Sequence, residues 1–349
     1  MSTEALMLDS GAFAVWTRGM DVDLEAYIRF CQEYPDVSYY VNLDVIPGKP
    51  NDIMSMTDKN IESACQQGWE NYQYMLDTLP LEKVIPVFHQ GDDPRWLVKM
   101  VEFGAPYVGI SPANDRTTSQ RSKWLTGIKK HVTDSKGKAL VKMHGFAVTS
   151  HRLMSSFPWY SVDSATWTRC GGLGKILVPR KTAGLWDYTK QPWMINVSDK
   201  SPSRGKRNEH LFSCSPLLRK HIEEFMEENG VGLGKWVIKE AKEGEKLERG
   251  FERWLDKSKK QIIRVLVKGV ATDDQRRKWL NMRYYQKAAE ALPLTHIFLA
   301  GFGGCKKIER DMRSRLLSYY EINRSPEFKK FFEYHVNVLA AENADLVPF

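Results

Sequence analysis

Apolar residues in this chain come in short runs that stop abruptly at polar ones. "ALMLD" (5–9), "YYVNLDV" (39–45), "KVIPVFHQ" (83–90), "YVGIS" (107–111), "KALVKMHG" (138–145), "YSVDS" (160–164), "KILVP" (175–179) and "HIFLAGF" (296–302) all read as strands. Between the first six lie stretches whose apolar positions repeat at helical spacing: 24–34, 57–78, 94–103, 119–132 and a short one near 149–155. Strands alternating with helices predict right-handed βαβ units and a parallel sheet. Eight candidate strands predict an α/β fold, a (β/α)8 TIM-like barrel, with an open doubly wound sheet as the alternative. No G-x-G-x-x-G or G-x-x-x-x-G-K-S/T follows any strand, which argues against the nucleotide-binding forms of the open sheet.

The alternation breaks off near residue 200. "SPSRGKRNEH" reads as a basic Ser/Pro/Gly-rich loop, and "PLLRKHIEEFMEEN", "GFERWLDKSKKQIIRVLVKG" and "DDQRRKWLNMRYYQKAAEAL" read as helical. The predicted organisation is a catalytic barrel carrying strands one to seven (1–199), a basic and mainly helical insertion (200–292), and the last barrel strand with C-terminal helices (293–349).

Charge gives that insertion a purpose. The net charge is +8, and residues 200–290 hold 22 Lys+Arg against 14 Asp+Glu, so the whole positive excess lies there. A charge-rich segment is ordinarily a solvated helix face, but a confined excess also suits a polyanion. Candidate phosphate contacts are Arg204, Lys206 and Arg207 in the loop, and Arg276, Arg277, Lys278 and Arg283 in the last helical stretch. Trp279, Tyr284 and Tyr285 are interleaved with the latter, where they either stack against exposed bases or face a core. "FPWYS" (157–161) and "PWM" (192–194) bring further aromatics, for which packing is the commoner role.

Other classes are disfavoured. Apolar residues make up 42% of the chain, so a substantial core is expected. No apolar run has the length of a membrane span, and the first residues lack the pattern of a secretory signal. Five scattered cysteines without framework spacing suit a reducing cytosol. Neither C-x-x-C nor H-E-x-x-H occurs. Cys170, His210, Cys214 and Cys305 are the set from which a structural zinc site would have to be assembled, without local spacing to favour it; buried thiols are the expectation, and no cofactor is expected.

Asp9, Asp44, Gln90, Gly145 and Asp163 all fall at the C-terminal ends of predicted strands. One such residue is an ordinary helix cap. In a barrel, these ends converge on the face where active sites are built, so several carboxylates and an amide there predict a shared site. Two carboxylates across a pocket can cleave a glycosidic bond, one attacking the anomeric carbon and the other handling the proton. A third carboxylate and an amide can read the donor and acceptor edge of a base, and a glycine N–H can donate where a side chain would obstruct.

These segments carry a resemblance. "LDSGAF" resembles the D-S-G-G-F/Y segment of the tRNA-guanine transglycosylases. "VNLDVIP" is similar to their strand-ending Asp and Pro-containing turn, "VFHQG" to their V-Q-G, and "HGFAVTS" to their G-G-L-A-V-G. "YSVDSATW" stands where their nucleophile strand stands. The order matches over residues 5–180, and with "VDSATW" the chain most resembles the phage-type 7-deazaguanine DNA transglycosylases.

The resemblance implies that Asp163 attacks C1′ of a deoxyguanosine to leave a covalent sugar ester, and that Asp9 is the general acid/base at N9. It implies that Asp44 accepts from the N1/N2 edge of the base, that Gln90 and the Gly145 N–H donate to O6, and that Ser10 and Phe146 line the pocket. Implied partners are DNA, or tRNA as the alternative, and a free 7-deazaguanine base, by default the neutral cyano compound preQ0; no membrane is involved. The implied location is the cytoplasm, the host's if the chain is phage-encoded. A base inside a duplex must first be flipped out, which phosphate contacts help to offset.

The chain departs from the tRNA enzymes in lacking their C-x-C-x-x-C pattern with its downstream His. It also lacks a strand before "LDSGAF", which "HIFLAGF" is expected to supply in a rearranged order. A hydrolytic glycosidase would leave Gln90 and the basic segment without a role. A non-catalytic nucleic-acid binder would leave the strand-end carboxylates unexplained, since they repel phosphate. The choice of 7-substituent, the target sequence and the oligomeric state stay open.

Overall fold

The computed structural model describes residues 6–17, 23–35, 37–48, 56–201, 209–249, 251–292, 296–300 and 319–321. In chain order these form β1 (Leu6–Leu8), α1 (Ala12–Trp16), α2 (Leu24–Glu33), β2 (Tyr39–Val41), α3 (Asp58–Leu76), β3 (Val84–Ile85), β4 (Val87–His89), α4 (Pro94–Glu102), β5 (Tyr107–Ser111), α5 (Thr118–Val132), β6 (Lys142–Gly145), α6 (His151–Ser156) and β7 (Ser161–Ser164). They continue as α7 (Thr166–Gly172), β8 (Lys175–Val178), β9 (Arg180–Thr182), β10 (Leu185–Asp187), β11 (Trp193–Asn196), α8 (Pro216–Glu228), β12 (Lys235–Glu240), β13 (Glu252–Trp254), β14 (Ile262–Val267), α9 (Asp274–Ala291), β15 (His296–Ala300) and β16 (Tyr319–Glu321). The chain divides into two compact units, one of Met1–Ala165 with Ala289–Val347, the other of Thr166–Ala288.

The first unit is a mixed α/β structure on one large sheet, in the order β3-β2-β1-β16-β15-β7-β6-β5-β4. Neighbours are parallel except at β16, which runs antiparallel to both β1 and β15. The predicted helices lie between the strands, and polar residues start them. Asp23, Thr57, Asp93 and Thr117 each accept a first-turn N–H, and Thr117 with Gln120 closes a capping box. The two ends of the sheet order are neighbours in sequence. Only Pro86 separates β3 from β4; its carbonyl accepts from Gly109 N (2.8 Å), while Ile85 O accepts from Asn42 N (2.9 Å). One buried cluster gathers Met7, Val41, Ile85, Val87, Tyr107 and Phe298, from β1, β2, β3, β4, β5 and β15, with Phe146 packed against it.

Three expectations change. "KILVP" is a strand, but β8 pairs antiparallel with β11 in the second unit, because β15 takes the position beside β7. The sheet is not wholly parallel, since β16 sits between β15 and β1. "GFERWLDKSKKQIIRVLVKG" is not a helix. β14 pairs with β12 and β13, as the β-branched Ile262, Ile263, Val265 and Val267 prefer a pleated surface. The second unit, Thr166–Ala288, combines α8 and α9 with hairpins.

Candidate active site

Asp163 lies in β7 and is 3% exposed. The β6 strand ends at Gly145, and the turn beyond it places Ala147 in the left-handed region (φ 53°), with its N–H donated to Asp163 Oδ1 at 2.7 Å. The Nε2 of His144 lies 3.6 Å from the same oxygen. Asp163 Oδ2 takes no hydrogen bond among the described residues. Beneath the carboxylate, His144 Nδ1 is 2.6 Å from Ser161 Oγ, which also bonds the Tyr107 hydroxyl. The Phe146 ring stands edge-on to the His144 ring, centroids 4.5 Å apart. Gly145 has a packing reason to be glycine: a Cβ there would meet Trp159 and Val148 at 3.0 Å. Trp159 is buried, and its Nε1 donates to Leu153 O (2.9 Å), so it is a core residue rather than a stacking platform.

Asp44 follows β2 in a loop stapled to α3. Asn42 Nδ2 donates to Gly68 O and Asn71 Nδ2 to Leu43 O, both at 2.8 Å. Its Oδ2 is 2.9 Å from His89 Nε2, and Asp92 Oδ2 lies 3.5 Å from His89 Nδ1 while accepting the His89 N–H at 2.8 Å. Burial disfavours a charged His89, but the hydrogen bonds to Asp44 and then Asp92 outweigh it and raise its pKa to about 10. Asp44 thus faces an imidazolium and keeps Oδ1 for another partner. Gln90, one residue past β4, accepts the Ala113 N–H on Oε1 (3.1 Å), which turns its NH2 end the other way.

Asp9 is half-buried at the end of β1. At this turn the Oγ of the buried Ser10 accepts from Ala12 N (3.4 Å), and Gly11 at φ 75° turns the chain. Burial, and the charges of Asp9 and Asp44 among its neighbours, push the Tyr27 phenol well above its ordinary pKa. Both carboxylates therefore act on one buried phenol.

The motif reading missed His89, Asp92, His144, Ser161 and Tyr107. "FHQGDDP" carried a signal, since a His at a strand end followed by carboxylates can be paired. The other three come from three strands and meet only through sheet register.

In the second unit, of the phosphate contacts expected in α9, Arg277 is turned inward, while Arg276, Lys278 and Arg283 keep part of their surface exposed. Arg277 is 6% exposed and donates to Gly171 O and Val270 O, each at 2.7 Å, so it braces the interior. Lys278 pairs with Asp274 (2.7 Å), Arg283 donates to Gln286 (2.6 Å), and Arg276 is half-buried. Tyr284 and Tyr285 are buried and so face a core, and Trp279 is half-buried. Arg204, Lys206 and Arg207 lie outside the described residues. A basic, aromatic surface also occurs on the β12–β14 sheet, where Arg253 and Arg264 stand 4.2 and 5.3 Å from the Trp236 ring, beside the exposed Ile238.

Of the zinc candidates, His210, Cys170 and Cys214 are among the described residues. His210 Nε2 is bonded to Ser198 O (3.1 Å) and its Nδ1 accepts from Phe212 N (3.2 Å), which leaves no lone pair for a metal. Burial pushes the Cys170 and Cys214 thiols up, and Cys305 lies outside the described residues. Among the described residues no group of His, Cys, Asp or Glu is gathered to hold a metal ion, and no helix is long and apolar enough to cross a membrane.

No known protein family matches the chain, and no curated protein matches it.

Proposed function

We propose that this protein is a guanine transglycosylase that exchanges guanine in DNA for a free 7-deazaguanine base, preQ0 or a close relative. Asp163 Oδ2 attacks C1′ as the C1′–N9 bond breaks, and the bonding pair leaves with guanine, whose N9 takes a proton from Asp9. The 7-deazaguanine then gives its N9 proton to Asp9 and attacks C1′, and the pair of the sugar–ester bond returns to Asp163. Configuration at C1′ is retained, as in any double displacement. Asp44 accepts from N1–H and N2–H through Oδ1, the Gln90 NH2 donates to O6, and Ser10, Gly145 and Phe146 shape the pocket. The observation that carries this reading is the Asp163 carboxylate, buried, with one oxygen tied down by a turn N–H and the other open.

The scaffold in this reading is a closed eight-stranded barrel. Two observations support closure: the 84–89 segment is bonded to one sheet edge before Pro86 and the other after it, and one core cluster draws on both ends of the sheet order. Proline has no N–H, so a break in the ladder at Pro86 is the expected mark of a strand shared between two neighbours. DNA is preferred over tRNA on the resemblance around "VDSATW". The positive excess of residues 200–290 favours a polymer over a free nucleoside.

The test is exchange of labelled guanine from DNA and from tRNA, with and without added 7-deazaguanine. Release from DNA only when the base is added supports the reading, and a covalent protein–DNA adduct should map to Asp163. Release from tRNA alone moves the substrate, release without added base makes the enzyme a hydrolase, and release from neither overturns the proposal.

A further inference from the structure

We propose that Tyr107, Ser161 and His144 form a directional hydrogen-bond relay that ends on Asp163 Oδ1 and selects Oδ2 as the attacking atom. The consequence for rate rests on the transglycosylase reading; the relay itself rests on geometry alone. Its four members come from β5, β6 and β7 and are 0–3% exposed. Register brings them together: His144 pairs with Ser161 across β6 and β7, and Asp163 is two residues further on the same strand face.

Hydrogen accounting gives the direction. Ser161 Oγ is the one hydrogen-bond partner of the buried Tyr107 hydroxyl among the described residues, so the phenol, which burial keeps protonated, gives its hydrogen there. Ser161 then gives its own hydrogen to His144 Nδ1, 2.6 Å away, which leaves the ring hydrogen on Nε2. That nitrogen is buried without a hydrogen-bond partner, and the acceptor it faces is Asp163 Oδ1 at 3.6 Å. The opposite tautomer reverses each bond. It leaves the phenol hydrogen without an acceptor among the described residues and aims the bare Nε2 lone pair at a carboxylate, two costs in a dry interior. The aromatic rings of Phe146, Tyr107 and Phe298 stand edge-on around the imidazole at 4.5, 6.3 and 5.8 Å and hold its orientation.

With the Ala147 N–H bonded to Oδ1 and His144 Nε2 3.6 Å from the same oxygen, Oδ2 keeps its lone pairs for C1′. Once the ester has formed through Oδ2, Oδ1 is its carbonyl oxygen. The same two donors then stabilise the negative charge that returns as the C1′–Oδ2 bond breaks. The 3.6 Å gap is expected to shorten when a sugar occupies the site, since such bonds tighten in the reacting complex. His144 is on this account a positioning residue, and Ser161 and Tyr107 act through it.

Two measurements test the relay. In the exchange reaction, Tyr107→Phe keeps the ring and deletes the first hydrogen. Its kcat should fall about 10- to 100-fold, the range for losing one hydrogen bond to a charged group, here the His144–Asp163 contact that the relay orients, with KM for DNA and base unchanged. Ser161→Ala should fall similarly, and the double variant no further, because the members act as a unit. Nitrogen NMR of labelled histidines should find the His144 hydrogen on Nε2, find that tautomer lost in Ser161→Ala, and find the Nε2–H signal moved by Asp163→Asn. A hydrogen on Nδ1 in the wild type, a His144 signal indifferent to Asp163→Asn, or an unchanged kcat in Tyr107→Phe overturns the proposal. Should the wild type exchange no guanine, the transglycosylase reading fails by itself, and the NMR result still decides the relay.

Discussion

His89 is held between Asp44 and Asp92, and its pKa is raised from 6.5 to about 10. The unfolded chain loses this proton near 6.5, so the contribution to stability is complete below about pH 6.5. It declines above that and is gone beyond about 10. The difference in melting temperature between wild type and His89→Gln should therefore be widest in acid and close as pH approaches 10; a difference that does not vary with pH would remove His89 from the ion pair. A second residue-scale prediction concerns Gly145. The alanine methyl would sit 3.0 Å from Trp159 and Val148, and overpacking of this kind costs about 1–3 kcal/mol. Urea unfolding of Gly145→Ala reads this directly, and an unchanged midpoint would mean that the rings yield freely. Asp163→Asn should abolish exchange with the unfolding midpoint nearly kept, since the Ala147 N–H can still donate to the amide oxygen.

At the scale of elements, α9 and the β12–β14 sheet carry basic residues in different settings. Arg277 in α9 braces two buried carbonyls, so Arg277→Met should cost about 3 kcal/mol of stability by leaving them unpaired. On the sheet, strand pairing puts Arg253 opposite Arg264, both beside Trp236, with guanidinium edges available to phosphates. Arg253→Ala with Arg264→Ala should weaken duplex binding at every sequence, because bonds to phosphate carry no sequence information. The salt slope should flatten by about 0.9 for each phosphate that is no longer neutralised. Filter-binding titrations over a range of salt make the comparison. An unaltered slope would show that the sheet makes no phosphate contacts.

At the scale of the molecule, the question is whether the large sheet closes. An open sheet would have β3 and β4 as its edges, and edge amides exchange with solvent readily. In a closed ring the 84–89 segment is an inner strand. Hydrogen exchange followed by mass spectrometry should then protect this segment as strongly as β5 and β6. Fast exchange confined to residues 84–89 would mean an open sheet.

Much of this was legible along the chain. The strands at 6–8, 39–41, 107–111, 142–145 and 161–164 and the helices at 24–33, 58–76, 94–102 and 118–132 follow from local periodicity and capping, which are short-range properties. The position of Asp9, Asp44, Gln90 and Asp163 just past or at the ends of strands followed from the same pattern. Pairing was not legible. "KILVP" has a strand's composition, but composition does not name a partner, and β15 had already taken the place beside β7. The 250–269 segment mixes charges at near-helical spacing with β-branched residues, and pairing with β12 decided it. His144, Ser161 and Tyr107 look unrelated in sequence, and so do Asp44 and His89. Their meeting depends on register and on loops stapled across α3, which only the assembled sheet fixes, because a side chain's neighbours across strands are set by long-range hydrogen bonding and burial rather than by its own segment.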